Sequence, residues 1–248
     1  MNLRNLLLLL LCSASLVSCK STKEDETITP ADTLYSKGTE LLQHNKHKDA
    51  AQEFAKIYFQ HPGSELSAQA EIMEAYSFYL AAEYEEAIDV LDTFVNLHPM
   101  HEDISYVYYL KGMCYYMQIS DAEHDQGKTD AAQIAFQEVI NRFPLTKYAL
   151  DASLKMDLIK DHLAGSEMNV GRFYLKQQNP IAAVKRFQNV VQNYQTTSHI
   201  AEALYRMTEC YMMLGIKDEA AKYAAVLGHN YPDSHWYEHA HRLVSKHK

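Results

Sequence analysis

The sequence predicts an all-α protein: a superhelix of five helical hairpins, with a long helix ahead of the fourth. Three observations carry this. Glycine (8) and proline (6) are scarce among 248 residues, too few for a turn-dense β fold. Apolar residues make up 47 % of the chain and charged residues 22 %, the balance of a chain that folds around a buried core. A short phrase closing on proline also recurs, as Tyr58-Phe59-Gln60-His61-Pro62, Val95-Asn96-Leu97-His98-Pro99, Ile140-Asn141-Arg142-Phe143-Pro144 and His229-Asn230-Tyr231-Pro232. Val191-Gln192-Asn193-Tyr194-Gln195 is a fifth copy with glutamine in the proline slot, and the spacings of 37, 45, 51 and 37 residues are those of helical repeats.

Residues 1–18 read as a secretory signal. Arg4 is their one charge, followed by the apolar run Leu6 to Leu11 that fades by Val17. A run of about 12 residues is too short for a helix to cross a bilayer, which takes ~20. Leu16-Val17-Ser18-Cys19 resembles the bacterial lipobox, which implies diacylglycerol on the Cys19 sulfur, cleavage before it and acylation of the new amino group. The plain alternative is an ordinary signal with an incidental cysteine. Two or more acyl chains make a stable anchor where one is marginal. Lys20 stands where inner-membrane retention usually places aspartate, so the outer membrane is expected. Residues 19–30 are polar and aperiodic and read as a lipidated flexible tether. Their acidic run Glu24-Asp25-Glu26 resembles a surface-export signal of some phyla; the periplasmic face is expected, with the outer face left open.

The repeats fit the 34-residue tetratricopeptide pattern when each phrase-closing residue is counted as position 32. That pattern wants small residues at 8 and 20, where two helices approach closely, and bulky ones at 11, 24 and 27. Repeat one supplies Gly38, Leu41, Ala50, Phe54 and Ile57; repeat two Ala75, Phe78, Ala87, Leu91 and Phe94. Repeat four supplies Gly171, Tyr174, Ala183, Phe187 and Val190; repeat five Thr208, Tyr211, Ala220, Ala224 and Leu227. Repeat three fits with eight residues inserted between its helices: Gly112 and Tyr115, then Ala132, Phe136 and Val139. The insertion is expected as a polar loop around Ser120 to Lys128 with Thr129 as N-cap, and Asn179-Pro180 as N-cap and N1 of a helix. Ala149, Ala152, Met156, Ile159, Leu163 and Val170 keep a 3-4 spacing that predicts one helix over 147–177, dividing repeats one to three from repeats four and five. Residues 31–146 and 147–233 are thus the two halves, and 234–248 a capping helix resting on Trp236, Ala240 and Leu243.

Cys114 and Cys210 both fall at position 10 of a first helix with a whole repeat between their repeats. Helix layers of roughly 10 Å separate them beyond the ~7 Å Cα limit of a disulfide, so two free, buried thiols are expected.

In such arrays positions 2, 5, 9, 12 and 13 of each first helix face the concave side. Repeat one offers Tyr35, Thr39 and Leu42; repeat two Ile72, Tyr76, Tyr79 and Leu80; repeat three Tyr106, Tyr109, Met113, Tyr116 and Met117. Repeat four offers Met168, Arg172, Leu175 and Lys176; repeat five Glu202, Tyr205, Glu209, Met212 and Met213. The first three repeats therefore predict a groove for extended, aromatic-containing peptide, because tyrosine gives large contact area at low entropy cost and methionine adapts to varied partners. The alternative is that these side chains pack against the long helix or one another.

Other classes find little support. The net charge of −9, which becomes −10 once Arg4 leaves with the signal, argues against nucleic acid as the main partner. No Gly-x-Ser-x-Gly, His-Glu-x-x-His or phosphate loop occurs. His235 and His239 are four apart, but no third ligand is fixed beside them, so no metal or other cofactor is expected and the chain does not read as an enzyme.

Several segments resemble the BamD family of outer-membrane lipoproteins of the β-barrel assembly machinery. They are His98-Pro99-Met100-His101 followed by Ser105 to Gly112; Asp125-Gln126; Arg142-Phe143-Pro144 with Tyr148 to Ala152; and Glu167 to Tyr174. The order of lipobox, five repeats and long helix before repeat four matches as well. The resemblance implies a non-enzymatic, periplasm-facing protein that binds unfolded outer-membrane protein precursors and the periplasmic domains of the barrel insertase. It implies a precursor-binding role for Tyr76, Tyr79, Tyr106, Tyr109 and Tyr116, and an insertase contact for Arg186. Gln195 and the short C-terminal helix depart from the family pattern. The rivals are a tetratricopeptide scaffold of envelope constriction and a lipid-anchored surface receptor for carbohydrate.

Overall fold

The computed structural model describes residues 28–119 and 127–246, and eleven α-helices account for most of them. Helices α1 (Ala31–Gln43) and α2 (His47–Gln60) form repeat one, α3 (Leu66–Leu80) and α4 (Tyr84–Leu97) repeat two, α5 (Ile104–Tyr116) and α6 (Gly127–Arg142) repeat three. Then come α7 (Lys147–Lys176), α8 (Pro180–Asn193), α9 (Ile200–Met213), α10 (Lys217–Asn230) and the cap α11 (His235–Ser245).

Local chemistry ends the first helix of four repeats in the same way. Asn45, Ala82, Gln178 and Gly215 take left-handed φ values of 57°, 59°, 56° and 74°. The next amide of each then bonds back five residues, Lys46 N to Leu41 O, Glu83 N to Phe78 O, Asn179 N to Tyr174 O and Ile216 N to Tyr211 O. This Schellman closure satisfies the last carbonyls of the helix and reverses the chain. Ile119 is the matching position in repeat three, where the insertion starts. The insertion itself, 120–126, lies outside the described residues. Thr129 is not the N-cap expected of it: α6 already begins at Gly127, and Thr129 is buried in its first turn. Contacts with repeats two and three hold that extra turn, since Lys128 pairs with Glu85 and lies 5.7 Å over the Tyr115 ring. Asn179 and Pro180 cap α8 as expected, the Asn179 side chain accepting from Ala182 N at 3.2 Å.

The repeat pattern is the packing pattern. Ala50, Ala87, Ala132, Ala183 and Ala220 have no exposed surface, nor do Ile57, Phe94, Val139, Val190 and Leu227. Gly38, Gly112 and Gly171 each meet the position-24 phenylalanine of the same repeat. A Cβ placed on them would come within 2.8 Å of Phe54, 2.7 Å of Phe136 and 2.4 Å of Phe187, distances no side chain tolerates.

Helix α7 is one uninterrupted rod of 30 residues, about 45 Å long. Thr146 caps it, accepting from Ala149 N at 3.2 Å. Its first half buries Ala149, Ala152, Ile159 and Leu163 in the core shared by repeats two and three. Its second half buries Ala164 and Met168 in the core of repeats four and five. Where the cores meet, Asp161 accepts from Ser198 N and Oγ at 2.9 and 2.8 Å, and His199 lies against Gly165. α7 therefore joins the two halves as well as dividing them. No helix among the described residues is long and apolar enough to cross a membrane.

The cap α11 starts at Ser234, whose hydroxyl accepts from Trp236 N. Trp236 stacks on Tyr205 at 5.3 Å, Ala240 is fully buried, and Tyr237 covers Gly228. Val244, four residues after Ala240 and so on the same face, packs in this cluster where Leu243 was expected. Cys114 and Cys210 are free and buried in separate cores, and burial pushes each thiol up to about 12.

The Gly171–Phe187 contact gives a direct test. Gly171→Ala should cost about 1–3 kcal/mol in chemical denaturation through overpacking. Adding Phe187→Leu should recover part of that loss, recreating the Ala75 and Leu91 pairing of repeat two. Purely additive costs would show that the two sites do not share one space.

Candidate functional site: a phenol-lined inner wall

The first helices form the inner wall of the superhelix. α1 touches α3, α3 touches α5 and α5 touches α7, whereas each second helix packs between two first helices. Curvature brings inner helices together and spreads outer ones, so side chains on α3, α5 and the first half of α7 share the concave surface.

Tyrosines cover much of that surface. Tyr76 and Tyr79 on α3 stack with ring centroids 6.4 Å apart, and Tyr84 adds to Tyr79 at 5.9 Å. Tyr106 and Tyr109 on α5 both meet Tyr148 of α7 at 5.4 Å. Tyr116 lies 6.1 Å from Phe136, with the Lys155 ammonium 5.5 Å over its ring. All five expected tyrosines are half-buried, their bodies against the core of repeats two and three. Tyr109 OH donates to Asp151 Oδ2 at 2.6 Å, and the same carboxylate lies 4.0 Å from Lys155. Burial pushes the Tyr79, Tyr106 and Tyr109 hydroxyls above their ordinary range, and Asp151 raises Tyr109 further. At neutral pH these three thus keep their protons, and a phenol can both donate and accept.

Two residues expected on this wall are core instead. Ile72 is 2 % exposed and Met168 fully buried. Both occupy position 5, which points into the seam between neighbouring first helices. An aliphatic side chain ends in the seam. A tyrosine at the same position carries its hydroxyl across to the next repeat, as Tyr109 does to Asp151 and Tyr35 to Gln69. Conversely, Tyr148, Asp151 and Lys155 belong to the wall although sequence reasoning treated α7 as scaffold. Their 3-4 spacing placed them on one face, and only the packing of α5 against α7 shows which side that face meets.

The second half of the chain is charged where the first is phenolic. Arg172 donates to Glu202, which also accepts from Arg206, and Arg206 donates to Glu209. Arg206 lies 5.3 and 5.5 Å over the rings of Tyr205 and Trp236. Arg186 leaves α8 to pair with Glu167 of α7 at 3.3 Å while 42 % of its side chain stays exposed. Cys19 lies outside the described residues. No cluster of three metal-ligating side chains occurs among those described.

A family model described as "YfiO: Outer membrane lipoprotein" matches residues 28–227, which hold repeats one to four, the long helix and most of repeat five. A protein of Rickettsia prowazekii named outer membrane protein assembly factor BamD is 56 % identical over 241 residues, covering 97 % of this chain and 96 % of its own. The BamD of Caulobacter vibrioides is 40 % identical, covering 95 % and 78 %. The chain belongs to the YfiO/BamD family of outer-membrane lipoproteins. Its location is the outer membrane, and the family's repeat scaffolds are non-enzymatic. Among solved structures, the tetratricopeptide domain in the "TPR2AB-domain:pHSP90-complex of yeast Sti1" aligns with a TM-score of 0.50 at 15 % identity, covering 87 % of this chain and 84 % of that one. That likeness is one of fold.

On the flank of α3 away from the phenols, Glu71 and Glu74 are buried against repeat one, each with one carboxylate oxygen lacking a donor. Burial drives Glu74 up to about 7, opposed by a hydrogen bond with Tyr58 and helped by the neighbouring Glu71 charge. Glu71 is raised as well, by burial, with His98 only 3.6 Å away pulling it back. A carboxyl that holds its proton more tightly when folded stabilises the fold at low pH and loses that contribution as pH rises through its folded value. Stability should therefore decline between about pH 4.5 and 7. Glu74→Gln should flatten that slope and raise stability at pH 8 by about 1–3 kcal/mol, as read from denaturation midpoints across pH. An unchanged slope would remove Glu74 as the source.

Proposed function

We propose that this chain is a lipid-anchored assembly factor for outer-membrane proteins that captures unfolded barrel precursors on the inner wall of repeats one to three. The observation that carries the reading is the set of half-buried phenols from Tyr76 and Tyr79 through Tyr106, Tyr109 and Tyr148 to Tyr116. An extended chain presents unpaired backbone amides and carbonyls, and alternate side chains on one face. Phenols answer both, with flat apolar contact for aromatic residues and hydroxyls for the backbone. Lys155 supplies a cation at the same wall for a precursor's terminal carboxylate. Family membership and the assembly-factor names of the relatives support the wider role.

The second half is the insertase-facing half in this reading. Arg186 is held by Glu167 yet half exposed, a charge already oriented for an acidic partner. Cys19, acylated, confines the whole to the membrane surface. Confinement raises the effective concentration beside the insertase, so a weak groove suffices and release stays fast.

Photocrosslinkers replacing Tyr76, Tyr109 or Tyr116 should label peptides that end in an aromatic residue, well above a crosslinker at Ile181 on the outer face. Equal labelling would remove the groove. Arg186→Gln should cut recovery of the insertase on affinity purification while stability changes by less than about 1 kcal/mol, since an exposed ion pair contributes little. Full recovery would take Arg186 out of the partner surface.

A further inference from the structure

The chain exposes large apolar side chains at one edge of the superhelix, where each second helix ends and turns into the next repeat. Phe59 is 75 % exposed at the end of α2, Leu97 63 % and Met100 93 % at the end of α4, and Leu145 100 % at the end of α6. Met100 and Leu145 are equivalent, each directly after the repeat-closing proline. Single exposed apolar residues are ordinary. Others lie elsewhere, among them Ile134, Leu150, Leu154 and Ile181, but these four share one corner of three successive repeats, and after the repeat-closing residue repeats one, four and five carry Gly63, Thr196 and Asp233.

The N-terminal segment arrives at this same edge. Thr29 N donates to Gln60 Oε1 at 3.3 Å, and His61 Nε2 donates to the Thr29 carbonyl at 2.7 Å, which pins the chain to the end of α2. Ile28, just before, is 71 % exposed. Nine residue steps separate it from Cys19, a reach of at most about 30 Å. An acylated Cys19 therefore keeps Ile28 and the adjoining end of α2 within about 30 Å of the lipid surface, and repeats two and three follow from that end along the same edge.

We propose that this edge is a lipid-contacting surface: Ile28, Phe59, Leu97, Met100 and Leu145 seat in the headgroup–acyl boundary of the leaflet that holds the anchor. The proposal rests on acylation of Cys19 and is independent of the phenol groove. Seating to the 5–10 Å depth of interfacial segments suits tips that project singly from turns. Exposed Glu65 and Glu102 beside them stay at headgroup level and limit the depth, while Lys147 and Arg142 flank Leu145 and favour an anionic surface. The tyrosines of the concave wall are not among the residues seated in this way, so the wall is left open to precursor.

The test uses the acylated full-length mature chain in vesicles of phosphatidylethanolamine and phosphatidylglycerol with brominated acyl chains. A bimane label is placed on Met100→Cys or Leu145→Cys, with Ile134→Cys and Ile181→Cys as controls exposed at 70 % and 71 % away from this edge. The native thiols do not interfere, being buried and raised to about 12. Quenching at 100 and 145 should exceed that at 134 and 181 by at least about twofold, as expected for a label within the acyl boundary. Equal quenching at all four overturns the proposal. So does a blue shift at 100 and 145 that grows with protein concentration in detergent without vesicles, which assigns the edge to a second copy, or one that needs added insertase, which assigns it to that partner. Groove crosslinking on the same labelled proteins reads out separately, so failure of either idea is distinguishable.

Discussion

Everything in this molecule depends on how closely the two helices of a repeat approach, and that is set by one pair of positions. Where position 8 is glycine, as at 38, 112 and 171, position 24 is phenylalanine. Where it is Ala75, the partner position holds Leu91, and where it is Thr208, Ala224. The sizes run inversely because the space at the seam is nearly constant and the interior is packed without slack. A fixed seam repeats the same hairpin, identical hairpins stack with a constant turn, and a constant turn curves the array. The inner wall follows from that curvature.

The phenols depend on it in turn. At position 5 the seam between neighbouring first helices is deep enough to bury Ile72 and Met168 completely, but tyrosine is longer than the seam is deep. The ring of Tyr109 at that position joins the core and its hydroxyl reaches Asp151 of α7, while Tyr76, Tyr79, Tyr106 and Tyr116, at positions 9, 12, 2 and 12, lie half-buried against the same core. One residue type thus stabilises the stack and furnishes the surface, which explains why the wall is half-buried yet polar-tipped. It also makes the surface rigid before any ligand arrives. For the proposed capture, little side-chain entropy would remain to be lost.

Most of the fold was legible in the sequence because the pattern that betrays it, small residues at 8 and 20 and bulky ones at 24 and 27, is the packing itself. The long helix was legible for the same reason, its 3-4 spacing running unbroken from Ala149 to Val170. The failures have a common cause. Thr129 resembles an N-cap locally, yet Lys128, reaching Glu85 and Tyr115, carries the helix one turn further. Ile72 and Met168 obey the positional rule for the wall and still lie in the seam. Tyr148, Asp151 and Lys155 were visible as one helical face without any sign of what the face would meet. Each depends on a neighbouring repeat, and a periodic pattern encodes the unit far better than the depth of the joint between units.

That joint matters most at α7. Tyr148, Asp151 and Lys155 at its start form part of the phenolic wall, and Glu167 further along holds Arg186. About 28 Å of continuous helix separates Tyr148 from Glu167. The rod contains no proline, and Gly165, its one glycine before the last turns, is occupied in packing against His199. It is clamped midway by Asp161 on Ser198. Two surfaces mounted on one rod cannot turn independently. Were a partner to grip the Arg186 side, as proposed, it would fix the direction in which the wall faces. The link is geometric: the helix that interrupts the repeat rhythm spends its extra turns on holding the phenolic wall and the Arg186–Glu167 pair in register.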